Sequence, residues 1–141
     1  MMGGSPAPHP RRIFLDANVL FSAARAAGAM RQLLDALARR GHVLVAENYV
    51  CTEAKRNLAA KAGAQALQDL EAILRRVETD GARQAISPNE AQTAQWLPEK
   101  DRPVLLAAMA LRCDALATGD KTHFGAGYGQ PSGGVAIYSP A

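Results

Sequence analysis

Several features that mark large classes of proteins are missing or scarce in this sequence. The two cysteines, Cys51 and Cys113, lie far apart and form no C-x-x-C pair, so nothing supports a zinc site or a redox motif. We therefore expect a reduced, cytosolic setting. No apolar run approaches the roughly 20 residues that a membrane helix needs. Aromatic residues make up 5% of the chain, which leaves little for stacking on nucleic-acid bases.

The amino-terminal stretch MMGGSPAPHPRR lacks the apolar segment of a secretory signal, and its arginines follow its glycines and prolines. We interpret residues 1–11 as a flexible leader and residues 12–141 as one domain, because a chain of 141 residues fits a single core. The net charge of +3 would favour an acidic partner without identifying one.

Short apolar segments alternate with amphipathic segments along the chain. The apolar segments predict strands at residues 12–15, 42–46, 83–87, 114–118 and 135–138. The amphipathic segments predict helices at residues 29–40, 49–61, 65–77, 89–96 and 103–113, with Ser87 or Asn89 as a cap and residues 125–134 as a flexible loop. This alternation indicates a three-layer α/β/α sandwich around a mainly parallel five-stranded sheet.

Acidic residues recur where such a sheet places its ligands, at the carboxyl ends of the strands. Asp16 ends the first strand and Asp120 follows the fourth. Asp101 begins the helix that runs back into the fourth strand, and Glu53 lies in the first turns of the helix after the second strand. We expect these four carboxylates to converge, whereas Asp114 begins a strand and belongs to the opposite edge.

Four carboxylates crowded together repel one another unless a cation neutralises them. Oxygen-only ligands suit Mg²⁺ or Mn²⁺ rather than zinc, and these ions keep several waters. Hydrolysis of a phosphodiester is the chemistry that such a centre promotes.

The segments IFLDANVLFSA, YVCTEAKRNLAA and KDRPVLLAAMALRCDALATGDKTHF together resemble the PIN-domain nucleases, which include the VapC-like toxins of toxin-antitoxin pairs. The resemblance covers residues 12–140 and implies an α/β/α sandwich with metal-dependent cleavage of RNA. It assigns Asp16, Glu53, Asp101 and Asp120 to the acidic quartet of the family as catalytic and metal-binding residues. Asn18 and Thr118 match its accessory polar positions.

Other polar residues near the predicted site have alternative roles. The family often has a further acid near the third or fourth, for which the chain offers Glu99 and Asp114, and Glu47 competes with Glu53. Asp101 is also a good helix cap, and we assign His123 no role. The basic residues expected to contact phosphate are Lys55, Arg56 and Lys121.

Two other functions remain open from the sequence. A phosphatase of the haloacid-dehalogenase type needs an acid two positions after its strand-end aspartate, where this chain has Asn18. A non-catalytic PIN-like binding module would keep the sandwich without a working metal centre. The prediction that follows from the resemblance is a cytoplasmic Mg²⁺- or Mn²⁺-dependent endoribonuclease, a toxin that cleaves RNA, pairs with an antitoxin, forms a homodimer and associates with no membrane.

Overall fold

The computed structural model of the protein describes residues 10–79 and 81–140. Within these ranges the strands are β1 (Arg12–Leu15), β2 (Val43–Val45), β3 (Val77–Glu78), β4 (Ala115–Ala117), β5 (Pro131–Ser132) and β6 (Val135–Tyr138). The α-helices are α1 (Ala17–Arg25), α2 (Ala29–Arg39), α3 (Asn48–Lys61), α4 (Ala64–Leu74), α5 (Pro88–Gln92), α6 (Arg102–Ala110) and α7 (Lys121–Phe124). Two short 3-10 helices span Glu99–Asp101 and Gly125–Gly127.

The strands form one sheet in the order β3-β2-β1-β4-β6-β5. All neighbouring strands are parallel except β5, which runs antiparallel to β6. The predicted α/β/α sandwich with a mainly parallel sheet is confirmed, although the described residues contain six strands rather than five. Because β1 lies between β2 and β4, the ends of three parallel strands meet at the middle of one edge of the sheet.

The central strand is apolar at consecutive positions because both faces of the sheet are covered. Phe14 and Leu15 are fully buried and Ile13 is nearly so. Helix α1 packs against α2, α3 and α4, and α6 packs against β4 and β6. Leu58 of α3 and Leu70 of α4 are fully buried in this core, which fixes the faces that their helices turn to solvent.

The third strand was predicted at the wrong place. Residues 83–87 form no strand but an irregular, largely exposed segment, in which the Gln84 amide donates to the carbonyl of Ala110. The strand beside β2 is instead β3, at Val77–Glu78, where the predicted helix 65–77 was expected to end. Helix α4 ends at Leu74, and Val77 is buried against β2, whereas the exposed 83–87 segment buries too little apolar surface to add to the sheet.

Two further predictions need adjustment. The helix predicted at 89–96 is shorter, since α5 spans Pro88–Gln92; the side chain of Ser87 caps it and forms a capping box with Glu90. The predicted loop at 125–134 contains a 3-10 helix and the edge strand β5. Of the predicted leader, residues 1–9 lie outside the described residues.

The last residue of the predicted leader is hydrogen-bonded to the chain ahead of β2. The Arg11 amide donates to Nδ1 of His42, and its carbonyl accepts from the Val43 amide. Strand pairing therefore reaches one residue ahead of β1. In the described part of the chain, none of the helices has both the length and the apolar character required to span a bilayer.

Candidate functional site

The first acid of the site is held by the turn between β1 and α1. Asp16 is the N-cap of α1, and its Oδ1 accepts a hydrogen bond from the Ala17 amide at 2.8 Å. Its own amide donates to the carbonyl of Ala117 at the end of β4. Its Oδ2 accepts from the hydroxyl of Thr118 at 2.8 Å. Both carboxylate oxygens are thus fixed by the ends of two paired strands.

The two predicted accessory residues connect Asp16 to Asp120. Thr118, which is fully buried, also accepts a hydrogen bond at its hydroxyl oxygen from the Asp120 amide, at 3.1 Å. The Asn18 carboxamide donates to Oδ2 of Asp16 and to the Thr118 hydroxyl, each at 3.3 Å, and accepts from the Gly119 amide at 2.7 Å. These contacts hold the loop after β4 against the first turn of α1.

Helix α3 contributes a stripe of polar residues spaced by four. Tyr49, Glu53, Asn57 and Lys61 all line the same pocket. Residues four apart lie on one face of a helix, so these three residues face the pocket together with Glu53. Burial, followed by the charge of Glu53 and a hydrogen bond to it, raises the pKa of the Tyr49 hydroxyl.

Asp101 and Asp120 meet beside a histidine that the sequence did not single out. Nδ1 of His123 lies 2.8 Å from Oδ2 of Asp120 and 3.4 Å from Oδ2 of Asp101. One potential ligand atom from each of the three residues lies within 4.8 Å of the others. Oδ2 of Asp101 is buried and accepts no hydrogen bond from any described residue. Asp101 makes no side-chain cap to α6, so capping does not account for its position.

The four predicted carboxylates line a single pocket of about 290 Å³. Its lining consists of Asp16, Asn18, Phe21, Tyr49, Glu53, Asn57, Lys61, Lys100, Asp101, Val104 and Asp120. Lys61 and Lys100 are basic residues that sequence reasoning missed. The four-residue period that starts from Glu53 identifies Lys61, and the residue next to Asp101 is Lys100.

The basic residues predicted to contact phosphate do not line this pocket. Lys55 and Arg56 are exposed on α3. Lys55 lies about half a helical turn from Glu53, and Arg56 lies beside the Glu53 stripe without lining the pocket. Lys121 lies beside Gly119 and Tyr128 in a neighbouring depression. Contact of these three residues with phosphate stays a prediction.

The competing acids lie outside the pocket. Asp114 lies at the opposite edge of the sheet, as expected, where its Oδ2 accepts from the Arg12 amide at 2.8 Å. Glu47 pairs with Arg83 and lines another pocket. Glu99 is exposed. Of the acidic candidates, only the predicted quartet lines the pocket.

Burial sets the electrostatics of the site. Asp16 is 7% exposed, and its desolvation raises the pKa of its carboxyl above the ordinary value. The hydrogen bonds from Thr118 and Ala17 oppose this shift, and the charges of Glu53 and Asp120 reinforce it. Negative charge on Asp16 is therefore unfavourable without a cation.

The donor set fits a divalent cation. Carboxylate oxygens from four chain segments line the pocket, and oxygen is the ligand that Mg²⁺ and Ca²⁺ prefer. One of these oxygens, Oδ2 of Asp101, is buried and lacks a hydrogen bond within the described residues. A cation would also relieve the repulsion that Glu53 and Asp120 exert on Asp16. The fold and the pocket together define a class of protein: a parallel α/β/α domain with a carboxylate-lined pocket at the carboxyl ends of its strands.

Within that class, the chain belongs to the PIN domain family, whose sequence profile matches residues 12–122. No curated protein matches the chain. Similar solved structures establish the fold at low sequence identity. A chain in the crystal structure of VapBC2 from Rickettsia felis, bound to a DNA fragment from its promoter, has a TM-score of 0.63 at 16% identity; the match covers 91% of this chain and 98% of that one.

Two further crystal structures share the fold. A chain of FitAcB from Neisseria gonorrhoeae has a TM-score of 0.54 at 16% identity, and the match covers 91% of this chain and 97% of that one. VapC20 from Mycobacterium tuberculosis, a toxin that cleaves the sarcin-ricin loop, has a TM-score of 0.50 at 18% identity, with 74% of this chain and 86% of that one covered.

Proposed function

We propose that this protein is a Mg²⁺- or Mn²⁺-dependent endoribonuclease that hydrolyses phosphodiester bonds of RNA. The observation that carries the proposal is the single pocket lined by Asp16, Glu53, Asp101 and Asp120 in a member of the PIN domain family. These four side chains would hold the metal. When bound, the divalent cation supplies charge neutralisation at the phosphate and activation of water.

The residues of the chain have separate tasks in this proposal. Asp16 is immobilised by Thr118 and by two backbone contacts, so it presents a fixed carboxylate to the cation. Asn18 keeps the loop of Asp120 in register by accepting from the Gly119 amide.

Substrate binding needs positive charge beside the acids, since an acidic pocket alone repels a phosphate backbone. Lys61 and Lys100 lie in the pocket lining and would neutralise phosphates on either side of the scissile bond. Lys55, Arg56 and Lys121 would extend the same contact along the RNA outside the pocket.

We further propose that the protein is a cytoplasmic toxin held by an antitoxin and that it forms a homodimer. The likeness to chains of the VapBC2 and FitAcB structures and to the VapC20 toxin supports the pairing. An antitoxin would inhibit most simply by inserting an arginine among the carboxylates, where a guanidinium matches their geometry and displaces the metal.

The two rival functions have less support. A haloacid-dehalogenase-type phosphatase lacks its acid, because the carboxamide of Asn18 is engaged with Asp16, Thr118 and Gly119 and has no proton to give as an acid. A non-catalytic module would have no need to keep four carboxylates in one pocket against their repulsion.

The test is cleavage of a panel of RNAs in Mn²⁺, compared between the parent and Asp16→Ala. We expect cleavage by the parent and a loss of about a hundredfold or more in the variant. Glu71→Gln, at an exposed position of α4, is the matched control and should cleave as the parent does. Hydrolysis of a small phosphomonoester by the parent would instead indicate a phosphatase, and binding of RNA without cleavage would indicate a binding module.

A further inference from the structure

His123 faces the same two carboxylates that close one side of the pocket. Its Nδ1 lies 2.8 Å from Oδ2 of Asp120 and 3.4 Å from Oδ2 of Asp101. The ring reaches this position because Asp120 is the N-cap of α7, and its Oδ1 accepts from the His123 amide at 3.1 Å. Phe124, next in the chain, is buried and packs edge-on against Trp96, which anchors the helix.

A hydrogen bond to Asp120 accounts for only part of this arrangement. If Nδ1 carries a proton and donates it to Asp120, Oδ2 of Asp101 remains buried without a donor among the described residues. A buried carboxylate oxygen without a partner is costly. A cation shared by the three side chains removes that cost and satisfies all of them.

The spacing of the three atoms suits shared coordination. Nitrogen and oxygen ligands lie roughly 2.0–2.2 Å from a first-row or magnesium ion, so neighbouring ligands of an octahedral site are about 3 Å apart. The two distances from Nδ1, 2.8 and 3.4 Å, bracket that separation. A neutral ring with its proton on Nε2 offers the Nδ1 lone pair in this direction.

We propose that His123 is a nitrogen ligand of the metal site and that it makes the site select Mn²⁺ over Mg²⁺. This inference rests on the metal site of the proposed function. Both ions favour oxygen ligands, but Mn²⁺, as a transition metal, accepts an imidazole nitrogen more readily than Mg²⁺ does, so a single nitrogen in an otherwise carboxylate site shifts the preference towards Mn²⁺.

The test measures metal binding directly, without RNA. Calorimetric titration with Mn²⁺ and with Mg²⁺ gives two affinities for the parent, for His123→Gln and for His42→Gln. We expect His123→Gln to weaken Mn²⁺ binding by about tenfold while Mg²⁺ binding changes much less. His42→Gln is the matched control, because His42 accepts the Arg11 amide outside the pocket, and should leave both affinities unchanged.

A second measurement separates a ligand from a neighbour that only orients Asp120. Electron–nuclear double resonance of the Mn²⁺-loaded protein should show nitrogen coupling in the parent and none in His123→Gln. Labelling histidine with ¹⁵N should change that coupling. Mn²⁺ bound without nitrogen coupling, or a Mn²⁺-to-Mg²⁺ affinity ratio unaltered in His123→Gln, would overturn the proposal.

The acidic variants distinguish failure of this inference from failure of the proposed function. If Asp101→Asn and Asp120→Asn abolish Mn²⁺ binding while His123→Gln leaves the affinity ratio intact, only the histidine ligand is rejected. If the parent binds neither cation, the metal site and the histidine ligand are both rejected.

Discussion

The hydroxyl of Thr118 donates a hydrogen bond to Oδ2 of Asp16 across 2.8 Å, although the two residues are 102 positions apart in the chain. Each residue follows a strand, and the two strands, β1 and β4, pair in parallel. The contact is buried, since Thr118 is fully enclosed and Asp16 nearly so. The pairing of β1 with β4 therefore positions the carboxylate of Asp16 in the pocket.

Replacement of Thr118 by valine keeps the shape of the side chain and removes its hydroxyl. Asp16 then loses a buried donor, and we expect the free energy of unfolding to fall by about 1–3 kcal/mol in urea titrations. Thr52→Val, at an exposed position of α3, is the control and should stay within about 0.5 kcal/mol of the parent. A Thr118→Val protein as stable as the control would contradict this role of the hydroxyl.

Asp16→Asn should stabilise the metal-free protein. The buried carboxylate is desolvated and repelled by Glu53 and Asp120, as the raised pKa of its carboxyl indicates. Asparagine caps a helix as well as aspartate does and carries no charge. We expect the free energy of unfolding to rise, as measured by thermal unfolding in the presence of a chelator. Mn²⁺ should then stabilise the parent more than the variant, and a less stable variant in chelator would contradict the prediction.

The advantage of Asp16→Asn should depend on pH. The pKa of Asp16 is higher in the folded than in the unfolded protein. Its contribution to the free energy of unfolding is therefore fully present below its unfolded-state pKa of about 4 and is lost as pH rises through its folded-state pKa. The difference in unfolding free energy between variant and parent should be small near pH 3 and should grow with pH to a plateau. Unfolding curves of both proteins in chelator, collected across this range, check it; a difference that shrinks as pH rises would refute it.

Lys61 and Lys100, which line the pocket, should control binding of RNA more than Lys55, which does not line it. The Lys61→Ala, Lys100→Ala double variant loses two cations beside the acids. We expect weaker binding of single-stranded RNA by fluorescence anisotropy in chelator and a salt slope reduced by about 1.4, since each contact contributes about 0.7. Lys55→Ala is the comparison. A larger loss of RNA affinity in Lys55→Ala than in the double variant would show that the main phosphate contacts lie outside the pocket.

Cys113 should resist thiol reagents in the folded protein. Burial raises the pKa of its thiol to about 12, and the side chain is 5% exposed. The thiolate is the reactive form, so labelling by an aromatic disulfide should be slow in buffer and complete in denaturant. Fast labelling of Cys113 in the native protein, located by mass spectrometry, would contradict this burial.

The acids of the pocket were predictable because they follow from the geometry of parallel strands. Asp16 and Asp120 each come after an apolar segment, and parallel neighbours end at one edge. The two-residue strands were not predictable in the same way. Val77–Glu78 is too short to show a period, and Pro131–Ser132 lies in a glycine-rich segment that resembles a loop.

The position of His123 could not be predicted from the sequence for another reason. It depends on a turn of four helical residues that starts with the cap at Asp120, and its ring is aimed by tertiary contact rather than by any periodic pattern. Lys61 could have been predicted from the sequence, because residues four apart lie on one face of a helix and Lys61 is eight residues after Glu53. A helical-wheel reading from each predicted acid would have found it.

The pairing of β1 with β4 also sets the order in which the parts of the pocket emerge during synthesis. The first strand leaves the ribosome well before its neighbour β4, since Leu15 and Ala115 are 100 positions apart in the chain. Until then the nascent chain has Asp16 and Glu53 without Thr118 or Asp120 to close the edge. A nascent chain that stops before β4 therefore has an incomplete acidic pocket, and the residues that complete it, Thr118 and Asp120, follow β4 within a few positions.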